Sequence, residues 1–181
     1  VLFRSDVAGR GESDWLADPQ HYQLPTYVGD MLQLLAHLHR QAPVQRLDWV
    51  GTSMGGLIGM ALCGTPDLPL PVPVSRLVLN DVGPAIAWQA IARIAGYLGQ
   101  SMRFAGVDEA VDALATISAS FGPHTPQQWR ALSEPMLRPL PEGGVRLHYD
   151  PAIAVPVRGF NEEAARAAEA ALWQAWDRIT A

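Results

Sequence analysis

The sequence predicts an α/β fold: a partial parallel sheet with flanking helices, joined to a mainly helical insertion. Three observations carry that expectation. Residues 46–50 and 76–80 are apolar runs of strand length, and residues 55–63 between them are helical in character. After Gly83-Pro84 the pattern turns helical and stays so to about residue 160. The order strand, helix, strand with a helical crossover is that of a right-handed parallel βαβ unit.

Each segment has its own reason. Val1-Leu2-Phe3-Arg4-Ser5 has no initiator Met and reads as a non-native scar, because a common sequencing adapter would encode it in frame. Residues 6–25 are loop-like, with Asp6, Gly9, Gly11, Ser13, Asp14, Pro19 and Pro25 spread through them. Thr26 is expected to cap a helix over 27–40, whose Val28, Met31, Leu32, Leu35 and Leu38 form one apolar stripe, and Pro43 stops it. The helix over 55–63 is apolar on nearly every side and is therefore expected to be buried. Pro66, Pro69, Pro71 and Pro73 make a surface connection. The run 76–80 fits a strand buried on both faces. Helices are expected over 85–98, 108–120 and 125–137, the last opened by Thr125 as cap, Pro126 and Gln128. Glu142-Gly143-Gly144 reads as the turn of a hairpin between 138–141 and 145–149. Asn161 caps the final helix, with Glu162 and Glu163 against its dipole.

Composition narrows the function. The 181 residues are 49% apolar and 17% charged, with a formal charge of −5, which argues against a nucleic-acid footprint. All 13 basic residues are Arg. The absence of Lys removes Schiff-base chemistry, Lys-anchored cofactors and the P-loop lysine. Cys63 stands alone, so neither an intrachain disulfide nor a multi-thiolate metal site can form. No run approaches the ~18 apolar residues of a membrane span, and no signal peptide is visible. The expectation is a cytoplasmic protein without metal or cofactor.

Gly51-Thr52-Ser53-Met54-Gly55 falls between a predicted strand and a predicted helix. A serine hydroxyl is a weak nucleophile and must be presented to a base and a substrate carbonyl together. A sharp strand-to-helix turn does this by pushing Ser53 out of the sheet edge in a strained conformation. Strand and helix then pass close, which is expected to require small residues at Gly51, Gly55 and Gly56. The Met54 N–H, at the helix N-terminus, is placed to stabilise the oxyanion formed on attack.

With Asp6-Val7-Ala8-Gly9-Arg10-Gly11-Glu12-Ser13 upstream and Leu77-Val78-Leu79-Asn80-Asp81-Val82-Gly83-Pro84 downstream, the chain resembles the α/β-hydrolase superfamily. It is most similar to capped, serine-nucleophile members such as enol-lactonases, esterases and carbon–carbon bond hydrolases. The resemblance is specific over 6–84. It implies a core portion there, a helical cap over 85–160 above the sheet edge, and a helix over 161–181 leading back to the core. It makes 46–50 the fifth strand and 76–80 the sixth. It implies further that the chain is an internal fragment, with the catalytic His, the usual acid and the second oxyanion donor outside it.

Asp81 stands where some relatives place their acid; the plainer reading is a loop-capping Asp. His37 and His39 lie on different faces of one helix, His21 and His124 sit in loops beside Pro, and His148 is on the cap. Each reads as a surface or packing residue rather than the base. Trp15, Trp49, Trp88, Trp129, Trp173 and Trp176 read as core or cap packing, Cys63 as a small hydrophobe, and Glu162/Glu163 as a solvated pair. The expected function is hydrolysis of a small, hydrophobic ester, lactone or related acyl substrate by a Ser-His-Asp mechanism. A carbon–carbon bond hydrolase with the same triad and a non-catalytic hydrolase-fold binding protein are the alternatives. The oligomeric state is left open.

Overall fold

The computed structural model describes residues 2–85 and 87–181. Val1, within the expected scar, and Ile86, within the expected helix over 85–98, lie outside the described residues. In chain order the elements are α1 (Leu24–Gln41), β1 (Leu47–Thr52), α2 (Met54–Gly64), β2 (Val74–Asn80), α3 (Trp88–Tyr97), β3 (Arg103–Phe104), α4 (Val107–Ile117), α5 (Pro126–Ser133), β4 (Leu137–Pro139), β5 (Val145–Leu147), α6 (Ala154–Arg158) and α7 (Glu162–Trp176). The α/β class is the one expected. Packing divides the chain into two compact units: Ala17–Tyr97 with Ala154–Ala181, and the residues up to Leu16 with Leu98–Ile153. These limits differ from the sequence segments 6–84, 85–160 and 161–181: the first loop packs with the later residues, while α3 and α6, within 85–160, group with the first unit.

The first unit holds the βαβ motif. β1 and β2 form a two-stranded parallel sheet, in the register Trp49↔Leu77, Val50↔Val78, Gly51↔Leu79 and Thr52↔Asn80. Their crossover helix α2 covers the face carrying Trp49, Leu77 and Leu79. α2 buries Gly56, Ile58, Gly59, Met60, Leu62 and Gly64, as its all-round apolarity requires. Both α1 and α7 pack against α2. Gly64 makes the α7 contact possible, since a Cβ there would overlap the Ala175 carbonyl.

Two expectations for this unit are corrected. Thr26 is not the cap of α1: the helix starts at Leu24 with Gln23 as its cap residue, because Pro25 is tolerated in a first turn. The stripe of Tyr27, Met31 and Leu35 is buried, and α1 stops before Pro43. Nor is β2 buried on both faces. The face away from α2 carries the facing pairs Asp48/Arg76, Val50/Val78 and Thr52/Asn80, and Val50 and Val78 are 73% and 51% exposed.

The second unit joins α4 and α5 to a three-stranded antiparallel sheet of order β3-β5-β4. The expected hairpin is β4–β5, with Gly143 (φ 94°) and Gly144 (φ 79°) in its turn. The insertion is thus less purely helical than its composition suggests; β3 is two residues long and leaves no periodic signal. The Thr125/Gln128 capping box forms, but α5 ends at Ser133 rather than near 137, because Pro135 follows. Phe104, Ala110 and Val145 make the buried cluster, with Met102, Val107 and Leu137 packed on it. The loop over 6–16 adds to the end of this sheet: Arg10 bridges Tyr149, the Gly11 N–H donates to the His148 carbonyl (3.1 Å), and the Asp150 N–H donates to that of Gly9 (2.8 Å). No helix among the described residues is long and apolar enough to cross a membrane.

Candidate active site

Ser53 is the single residue between β1 and α2, and its backbone stands at φ 50°, ψ −118°. A positive φ is uncommon for a residue with a side chain, and holding one there costs about 1–3 kcal/mol unless the surroundings impose it. Here they do. The Ser53 N–H donates to the Asn80 carbonyl of β2 (3.0 Å), while the Ser53 carbonyl accepts from the amides of Gly56 (2.9 Å) and Leu57 (3.1 Å). One end of the residue is held by the sheet and the other by the first turn of α2. The side chain is exposed, and its hydroxyl makes no hydrogen bond among the described residues.

The first amides of α2, those of Met54 and Gly55, have no intrahelical acceptor, as at the start of any helix. They lie at the positive end of the helix dipole beside the Ser53 hydroxyl-bearing carbon. That is the setting in which an oxyanion can be stabilised.

The glycines around the turn do different things. A Cβ on Gly51 would overlap the Gly55 carbonyl and the Gly56 amide, and one on Gly56 would overlap the Val82 side chain. At Gly51 the opposing atoms are backbone and close approach excludes a larger residue; at Gly56 the Val82 side chain would have to move. Gly55 is a correction: open space surrounds the position its Cβ would take, so packing does not require glycine there. A further contact escaped sequence reasoning. The Trp49 indole N–H donates to the Gly55 carbonyl (2.9 Å), and its ring lies where a Cβ on Gly59 would come within 2.6 Å. The signal that could have found it is strand alternation, which puts Trp49 and Gly51 on the same face, the one α2 covers.

Asp81 follows Asn80, the register partner of Thr52, so Ser53 and Asp81 leave the same sheet edge side by side. Asp81 also has a positive φ, 53°. It is exposed, and among the described residues its carboxylate makes no hydrogen bond or ion pair and caps no loop.

Four of the five histidines have a partner close by in sequence. His21 lies 3.9 Å from Asp18, and His37 contacts Gln41. His39 accepts from the Val44 amide, and His124 contacts the Gly122 carbonyl. The His148 side chain is 11% exposed; its Nε2 lies 3.7 Å from Glu12, far away in sequence, and makes no hydrogen bond among the described residues. None is hydrogen-bonded to Ser53. Burial pushes the Cys63 thiol above its ordinary range, which leaves it a poor nucleophile at neutral pH. Glu162 pairs with Arg166 on the surface. Trp88 packs against Phe160 (6.2 Å) and Trp129 against His124 (4.6 Å). Trp15, Trp173 and Trp176 are exposed rather than core residues, Trp15 lying under the Arg146 guanidinium. Among the described residues no group of three or more His, Cys, Asp or Glu is placed to hold a metal ion.

Comparison with known proteins gives a consistent set. No family model matches the chain. It is 51% identical over 179 residues to a 3-hydroxybutyrate-oligomer hydrolase from Cupriavidus necator, a match covering 96% of this chain and 58% of that protein. The structure is similar to an α/β hydrolase from Novosphingobium aromaticivorans, with a TM-score of 0.75 and 29% identity, covering 96% of this chain and 57% of the other. It is also similar to an esterase from Mycobacterium tuberculosis, with a TM-score of 0.60 and 27% identity, covering 97% and 53%. The chain thus spans little more than half the length of each.

Proposed function

The chain belongs to the α/β-hydrolase superfamily, and from that premise we propose that it carries the nucleophile of a serine ester hydrolase. The single observation that carries this reading is the conformation of Ser53, exposed at φ 50° between a strand end and a helix N-terminus. Ser53 Oγ attacks the ester carbonyl and loses its proton to a histidine. The Met54 N–H donates to the developing oxyanion. The alcohol leaves with that proton, and water then releases the acid from the acyl-enzyme.

The histidine is assigned outside these 181 residues. The local partners of four of the five histidines and the 58% coverage of the C. necator hydrolase support that assignment. Asp81 is assigned as the acid that orients it; its place beside Ser53 and its unengaged carboxylate favour that role over loop capping. The substrate class follows the 51% identical relative: short oligoesters of 3-hydroxy acids, small and largely apolar.

The test is ester turnover by the full-length gene product, using dimers and trimers of 3-hydroxybutyrate beside p-nitrophenyl esters. Ser53→Ala is expected to lower kcat by about 10⁶, the scale of losing a serine nucleophile. Turnover that survives Ser53→Ala would exclude the reading.

A further inference from the structure

The hydrogen bonds around the turn form a directed chain. The Trp49 indole N–H donates to the Gly55 carbonyl at 2.9 Å. That carbonyl and the Gly56 N–H belong to one peptide group. The Gly56 N–H donates to the Ser53 carbonyl at 2.9 Å. That carbonyl and the Met54 N–H belong to the next peptide group. An N–H on a peptide whose carbonyl already accepts a hydrogen bond is a stronger donor, by about 10–30% per bond in condensed phase.

We propose that Trp49 is a positioning residue for the oxyanion donor, acting on the Met54 N–H through two peptide groups. The inference rests on the reading of Ser53 as nucleophile. Geometry and polarisation act together. The bond helps hold the plane of the 55/56 peptide, and the Gly56–Ser53 bond, together with the Leu57 N–H on the same carbonyl, holds the plane of the 53/54 peptide, which aims the Met54 N–H. The arrangement also accounts for Gly59, outside the serine motif, and makes use of Gly56. Gly59 leaves room for the indole, and Gly56 lets its amide come down on the Ser53 carbonyl without a side chain meeting Val82. It assigns Trp49 a role that packing alone does not require, since a phenyl ring would fill the same face without the N–H.

The test compares three forms of the full-length gene product: wild type, Trp49→Phe, and a form in which Trp49 is replaced by β-(3-benzothienyl)alanine. The last keeps the bicyclic shape and puts sulfur where the N–H was, so it separates the hydrogen bond from packing even if Trp49→Phe folds poorly. The readouts are kcat and KM on a short ester, the affinity for an alkylboronic acid that forms a tetrahedral adduct on serine, and the melting temperature. The benzothienyl form is expected to lose about 3- to 30-fold in kcat, less than the roughly 10²–10³ lost with a whole oxyanion donor. Boronate affinity should fall in parallel, while KM stays within about twofold and the melting temperature holds. Wild-type kcat and boronate affinity in that form, or a loss confined to KM or to melting temperature, would overturn the role of Trp49. Fluorophosphonate labelling of the wild type separates the two levels. Labelling lost on Ser53→Ala keeps the nucleophile reading, and the Trp49 forms then decide the positioning role. A wild type that does not label at Ser53 removes the nucleophile reading and this inference with it.

Discussion

At the scale of single residues, the glycines of the turn are not equivalent. Gly51→Ala places a Cβ on backbone atoms of Gly55 and Gly56 that cannot swing aside. It should destabilise the protein by roughly 2–3 kcal/mol or more, read from the denaturant midpoint. Gly55→Ala meets open space and should change stability by no more than about 1 kcal/mol. Equal losses at the two positions would contradict the packing described. Asp81→Asn tests the other half of the site. Asn tolerates a positive φ as well as Asp does, so the fold should be unaffected. If Asp81 orients the histidine, kcat should fall by about 10⁴ with little change in melting temperature; unchanged kcat would exclude the role.

At the scale of elements, local signals are legible in the sequence and contacts between elements are not. The capping box at Thr125 and Gln128 and the Asn161 cap form as expected, because each is made within one turn of chain. The start of α1 is harder to read because its cap residue, Gln23, makes no side-chain capping bond and so leaves no signal. The tight seam between α2 and α7 leaves no readable trace. Gly64 has the position of a helix end, yet it is where the Ala175 backbone comes closest. Gly64→Ala should push the helices apart and cost about 1–3 kcal/mol, measurable by thermal unfolding. A variant of unchanged stability would show that the seam can relax.

At the scale of the whole molecule, the open sheet face governs behaviour. Val50 and Val78 stand side by side on it, and the two-stranded sheet leaves both edges unpaired among the described residues. Exposed apolar surface and free strand edges invite association. The 181-residue chain on its own is expected to self-associate with rising concentration, and light scattering should show Val50→Thr with Val78→Thr reducing it. The same chain should be nearly inactive, since losing the base alone costs about 10⁶ in rate. Ser53-dependent ester turnover by the isolated chain would place the base within it and overturn its assignment elsewhere.

By itself the sequence determined where the strand-to-helix turn at Ser53 stands and what brackets it. Strand alternation, helical period and the Gly-x-Ser-x-Gly spacing are properties of neighbouring residues, and local backbone geometry fixes them. Only the tertiary structure decided which of the glycines close approach requires, that an indole from β1 reaches the first turn of α2, that Asp81 emerges beside Ser53, and that residues 6–16 pack with the later unit. Those outcomes depend on how segments pack, some neighbouring in sequence as at the turn and others far apart, and sterics and hydrogen bonding across such contacts have no period along the chain.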